Sequence, residues 1–137
     1  MRRILSVAIS AMVALFLFTP LAAAGSPHFV AVSAQRSGDD LTVSGKEAGL
    51  GNETQVHIMV SADALCINGG GKHPKAVNKG TFATQGDFPV QNGQAQFSLT
   101  LTAAFQPDCS PPMTVVWTNV VVSDSSHGVT KALPGTF

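Results

Sequence analysis

One pattern constrains this chain most. Short stretches in which apolar and polar residues alternate are broken about every ten residues by Gly, Pro, Asn or Asp. Leu41-Thr42-Val43-Ser44 alternates in this way. Over residues 54–62, Val56, Ile58 and Val60 share one phase, and Gln55, His57, Met59 and Ser61 share the other. Beyond Asn92-Gly93, the residues Ala95, Phe97, Leu99 and Leu101 oppose Gln96, Ser98, Thr100 and Thr102. Successive side chains of a strand point to opposite faces, so each stretch offers one face to a core and one to water. Segments 29–35, 81–90, 113–123 and 129–133 bring the expected strands to seven. In the first, Val30, Val32 and Ala34 share a phase; in the second, Gly86 and Pro89 predict an edge strand or a bulge. Apolar residues fill both phases of 113–123, which predicts a central strand buried on both faces, or one bulged near Asn119. Asn92-Gly93 suits a type I′ hairpin turn, and residues 68–80 read as a long Gly-rich loop. No stretch has a helical period. The expected fold is all-β: an immunoglobulin-like antiparallel two-sheet sandwich with Greek-key connections.

The amino terminus reads differently. Arg2 and Arg3 precede an apolar run over residues 4–18, and Ala22-Ala23-Ala24 follows. A basic start, a short apolar stretch and small residues before the cut describe a secretory signal peptide over residues 1–24. The run is shorter than the roughly 20 residues of a membrane span. The single secreted domain is then 25–137, extracellular and not attached to the membrane. The whole chain has eight Lys and Arg against eight Asp and Glu, but the exported part has six against eight, a charge of −2. That excludes a basic nucleic-acid binder. Regular apolar segments at low charge density exclude intrinsic disorder.

Cys66 and Cys109 both lie in the exported part. In an oxidising compartment an isolated pair most simply forms a disulfide. Closing a loop of this length stabilises by roughly 4 kcal/mol on the chain-entropy argument. A metal site or a reactive thiol is the alternative, yet there is no Cys-x-x-Cys and no clustered His. Trp117 follows both cysteines, unlike the antibody-domain order in which the Trp lies between them. The bridge is expected to pin two loops at one end of the sandwich.

Several motifs together resemble a group of small secreted actinobacterial proteins with one disulfide. They are Gly49-Leu50-Gly51, Cys66-Ile67-Asn68-Gly69-Gly70, Pro74, Asn78, Asn92-Gly93, Cys109-Ser110-Pro111-Pro112-Met113 and the ending Leu133-Pro134-Gly135-Thr136-Phe137. These are turns, cysteines and strand starts. The resemblance implies export and a one-disulfide β-sandwich, and carries over no catalytic residue. Residues 43–51 and Asn92-Gly93 are also similar, more weakly, to the enediyne-antibiotic apoproteins. That likeness implies a small-ligand carrier, but those proteins have two disulfides and this chain has cysteines for one.

Chemistry-bearing residues are sparse. No Gly-x-Ser-x-Gly elbow is present, and Asp39-Asp40, Glu47 and Glu53 fall in or beside predicted turns and loops, so no catalytic residue is assigned. His57 and Met59 lie on one strand face and are the candidates for copper, with His28 and Met113 as further donors; two soft ligands alone make no metal site, and no cofactor is expected. The Gly-rich loop is locally positive. Asn68, Lys72, His73, Lys75 and Lys79 are its candidate binding residues. It lacks the Gly-Lys-Ser/Thr ending of a phosphate loop. Residues 107–113 read as a proline-stiffened crossover rather than a protease-inhibitor loop. One Trp and no Tyr leave no aromatic platform for a sugar. Asn52-Glu53-Thr54 matches a glycosylation sequon, relevant only in a eukaryotic secretory host. The expected function is non-enzymatic: an extracellular binding or surface-interaction module for a protein, glycan or small molecule.

Overall fold

The computed structural model describes residues 25–68 and 76–137, and the signal peptide expected over residues 1–24 lies outside them. Seven strands form two antiparallel sheets: β1 (His28–Ser37), β2 (Asp40–Ala48), β3 (Gln55–Asn68), β4 (Ala76–Pro89), β5 (Ala95–Thr102), β6 (Met113–Asp124) and β7 (Val129–Leu133). One sheet has the order β1-β2-β5 and the other β4-β3-β6-β7. The chain crosses between sheets after β2, β4 and β5. The remaining links are hairpins within a sheet.

The alternating phases build the core. Leu41 and Val43 of β2 and Ala95, Phe97 and Leu101 of β5 face Val56, Ile58, Val60, Ala62 and Ala64 of β3. Val115, Trp117, Val120 and Val122 of β6 complete it. Trp117 is fully buried, and its indole N–H donates to the Asp39 carbonyl at 3.0 Å. An unpaired indole N–H would be costly there.

Two bulges correct the simple phases. In β1 the register shifts between Val30 and Ser33, with Ala31 at φ 53°. Phe29 therefore turns inward, 5.9 Å edge-on from Phe97, while Val30 is exposed rather than sharing the phase of Val32 and Ala34. In β6 the expected bulge is present: Asn119 has φ 51°, and pairing with β3 shifts between Ser61 and Asp63. β6 is central, between β3 and β7. The inward phase passes from Val115 and Trp117 to Val120, Val122 and Asp124. A one-residue insertion does this because the side-chain period is two.

Two turn expectations need revision. Asn92 and Gly93 both have positive φ, and Gln91 and Gln94 exchange backbone hydrogen bonds of 2.8 and 3.1 Å. The tight turn is formed, but it joins two sheets: β4 pairs with β3, and β5 with β2. The long loop expected over residues 68–80 is shorter. β3 continues to Asn68 and β4 begins at Ala76, its backbone supplying pairing that loop composition does not announce. β4 is an edge strand, as Pro89 predicts.

Candidate functional site

At one end of the sandwich two carboxylates enter the core. β2 carries Leu41, Val43, Gly45 and Glu47 in its inward phase. A side chain at Gly45 would collide with Val32 at 2.9 Å, so β1 packs close there. Glu47 is therefore not a loop residue. It pairs with Phe29 of β1 and Ala95 of β5, and it is fully buried. Across the seam, Asp124 ends β6 on the inward phase set by the Asn119 bulge, and it too is fully buried. These are the two buried charged side chains among the described residues.

Asp124 is well satisfied. Its Oδ1 accepts from the Ser126 and His127 backbone N–H groups at 2.9 and 3.3 Å. Its Oδ2 accepts from His127 Nδ1. This is an aspartate folding its own turn back on itself. On its other side, His127 Nε2–H donates to Glu53 Oε1 at 2.9 Å. Glu53 is set by the β2–β3 loop, which hangs on three bonds: Leu50 N–H to Gly93 O at 3.0 Å, Glu53 N–H to Leu50 O at 3.3 Å and Val90 N–H to Thr54 O at 2.9 Å. Gly49, at φ 77°, lies so close to Ser26 that a Cβ would sit 2.2 Å from its carbonyl oxygen.

Glu47 is the exception. Neither carboxylate oxygen has a hydrogen-bond partner among the described residues. Burial, then the negative charge of Asp124, then a hydrogen bond from the protonated Glu47 carboxyl to the Asp124 carboxylate raise its pKa from 4.5 to about 7, so it is the ionised Glu47 that lacks a partner. Hydrogen bonding to Asp124, and then to Glu53, raises that of His127 above its ordinary value against the opposing effect of burial. One donor atom each from Glu47, Asp124 and His127 lie within 4.8 Å of one another. Carboxylate oxygens and an imidazole nitrogen at that spacing suit a borderline divalent cation.

The opposite end holds the cysteines. Cys66 and Cys109 are bonded, with Cα atoms 5.7 Å apart. The Met113 sulfur lies 3.8 Å from that of Cys66. Asn78 donates to the Gln106 carbonyl at 3.4 Å, which ties the start of β4 to the same connector. Of the candidate binding residues, Asn68 ends β3 and Lys79 lies in β4, both exposed. Lys72, His73 and Lys75 lie outside the described residues.

The copper candidates are not brought together. His57 and Met59 are on the outer face of β3, but His57 is engaged by the neighbouring edge strand. Its Nδ1–H donates to Asp87 at 2.7 Å and its Nε2–H to Gln85 at 3.3 Å. Met113 is at the far end of β3, opposite Asn68, and the His28 ring bonds the Ser26 carbonyl at 2.8 Å.

The sequence alone puts Glu47 in or beside a loop and ends the sixth strand at residue 123, one short of Asp124. Continuing the β2 alternation by two residues finds Glu47, because positions 41, 43, 45 and 47 share a phase. Asp124 requires the bulge as well. No protein-family model, curated protein or solved structure matches the chain.

Proposed function

We propose that the chain is an exported, non-enzymatic β-sandwich of immunoglobulin-like connectivity that serves as an extracellular binding or surface-interaction module. The Cys66–Cys109 bridge carries this reading. Such a bond persists in oxidising compartments, which agrees with the signal-like residues 1–24. On this reading the chain joins the small secreted one-disulfide proteins it resembles. Among the described residues, no helix is long and apolar enough to cross a membrane. The burial of Glu47 and Asp124 speaks against glycosidase-type chemistry at this pair. A carboxylate pair acting on a substrate bond must face a cleft, and the side chains of both of these are fully buried.

The binding surface in this proposal is the disulfide end. Lys79 and Asn68 flank it, and the sequence adds Lys72, His73 and Lys75. Its positive charge favours an anionic group on an extracellular protein, glycan or small molecule. The test couples the purified protein to a support and measures retention of cell-wall fragments and culture-medium components. Replacing Lys72, His73, Lys75 and Lys79 together by Ala is expected to weaken retention about tenfold, or 1.4 kcal/mol. Unchanged retention removes this surface from consideration. Protein found only inside the cell with Met1 intact removes export.

A further inference from the structure

We propose that Glu47, Asp124 and His127 form a binding site for a zinc-type divalent cation at the seam between the two sheets, with Glu53 holding the imidazole in place. Three observations carry it. The donor atoms converge within 4.8 Å. Glu47, fully buried, brings a carboxylate oxygen into this cluster, and its ionised carboxylate has no hydrogen-bond donor among the described residues. His127 is already oriented by a carboxylate, as metal-bound histidines generally are.

The orphaned Glu47 is the observation that separates a ligand site from a structural carboxylate cluster. A buried polar group without a partner costs about 1–3 kcal/mol, and more when charged. Asp124 and His127 satisfy one another without Glu47. A cation between the three would give the Glu47 oxygens their missing partner. It would replace the proton that His127 Nδ1 shares with Asp124, while Nε2–H stays on Glu53.

The donor set selects the ion. Calcium and magnesium take oxygen ligands, calcium six to eight of them. One imidazole with two carboxylates suits zinc, whose nitrogen and oxygen contacts are about 2.0–2.2 Å. Tetrahedral ligands at that radius stand about 3.3 Å apart. The donor atoms lie within 4.8 Å of one another, so binding draws them together by at most about an ångström and a half. The route in passes the same turn, where the side chains of His127 and Glu53 are 22% and 44% exposed.

The test uses the purified protein, stripped with EDTA and titrated calorimetrically with zinc chloride, calcium chloride and magnesium chloride. One zinc per chain is expected, with no calcium or magnesium heat, and X-ray absorption is expected to find nitrogen and oxygen ligands without sulfur. Glu47→Gln, nearly isosteric, and His127→Gln are each expected to weaken zinc by more than roughly a hundredfold, and Glu53→Gln by about tenfold. His57→Gln, on the exposed β3 face, is expected to bind as the unmodified protein does. Near-UV dichroism of the buried Trp117 shows whether each variant keeps its fold; should Glu47→Gln lose it, the partly exposed His127 decides. No zinc binding, or binding that survives both Glu47→Gln and His127→Gln, overturns the proposal.

Discussion

At one end of β3, Cys66 is bonded to Cys109 among apolar neighbours; beyond the other, Glu47 sits in the same core with no hydrogen-bond donor to its ionised carboxylate among the described residues. About 25 Å of strand separates the two regions. The disulfide end is fastened covalently, and its contribution comes largely from restricting the unfolded chain. The carboxylate end is fastened by charges whose protonation and partners vary with solution conditions. One sandwich therefore combines a clamp indifferent to pH with a seam that responds to it.

The largest effect should come from removing the clamp. Replacing Cys66 and Cys109 by Ala is expected to lower unfolding free energy by about 4 kcal/mol, measured in urea at fixed pH. The loss should be the same at pH 5 and pH 8. A loss that varies strongly with pH would mean that the two ends are coupled through the core.

The seam should show the reverse behaviour. Glu47 has a folded pKa of about 7 against 4.5 unfolded, so the native state binds more protons between those values. Its contribution is fully present below pH 4.5 and is lost as pH rises through 7. His127 has the same sign. Its raised folded pKa adds stability below 6.5 that disappears as pH rises through the folded value. The groups facing Glu47 are Asp124 on β6, His127 in the following turn and Glu53 in the β2–β3 loop. In EDTA, stability should fall from pH 4.5 to pH 8 by an amount on the order of 3 kcal/mol, and Glu47→Gln should remove most of that slope. Zinc should act oppositely, stabilising more as pH rises and its ligands deprotonate. An EDTA-treated protein with flat stability from pH 4.5 to 8 would contradict the buried, unpartnered state of Glu47.

How Asp124 reaches the seam gives a third test. Without the bulge, the β6 phase that holds Val115 and Trp117 would continue through Asn119, Val121 and Ser123, turning Asp124 outward. Asn119 occupies the left-handed region and donates to Asp63 Oδ2 at 2.8 Å, while Thr81 donates to Oδ1 at 2.7 Å. Asn tolerates that backbone; a β-branched residue does not. Asn119→Val should cost about 2 kcal/mol. If the bulge sets the phase, it should also weaken zinc binding although Asn119 touches none of the ligands. A Val variant with unchanged stability would show that the bulge persists without its asparagine.

These particulars explain which parts of the molecule were legible in its sequence. Alternation at Val56, Ile58 and Val60, the Asn92-Gly93 turn and the isolated cysteine pair are local signals, and each has a local cause. The carboxylate seam is non-local. Glu47 looked like a loop residue because Lys46 to Gly51 is polar and glycine-rich. Only pairing on both sides, with β1 and β5, holds it in a strand. Asp124 has a turn residue's composition and a core residue's position. Its meeting with Glu47 depends on which sheet each strand joins, and no short window of sequence contains that. The same reasoning covers β4, whose first residues are strand because β3 pairs with them.

The smallest expected effect uses a pair of the same residue types in the opposite setting. His57 donates to Asp87 on the open face of the larger sheet, and this bond, followed by that to Gln85, raises its pKa above the ordinary histidine value. His127 donates to Asp124 with the carboxylate fully buried. Water screens the first pair, and exposed ion pairs contribute little. Asp87→Asn should therefore move the His57 titration back towards 6.5, followed by its ring-proton NMR shifts, while leaving the unfolding midpoint where it was. Asp124→Asn should move the His127 titration downwards and lower the midpoint too, because its effect is not screened. Equal shifts in midpoint for the two variants would show that burial does not set the difference between these histidine–aspartate pairs, and the contrast between exposed face and buried seam would fail with it.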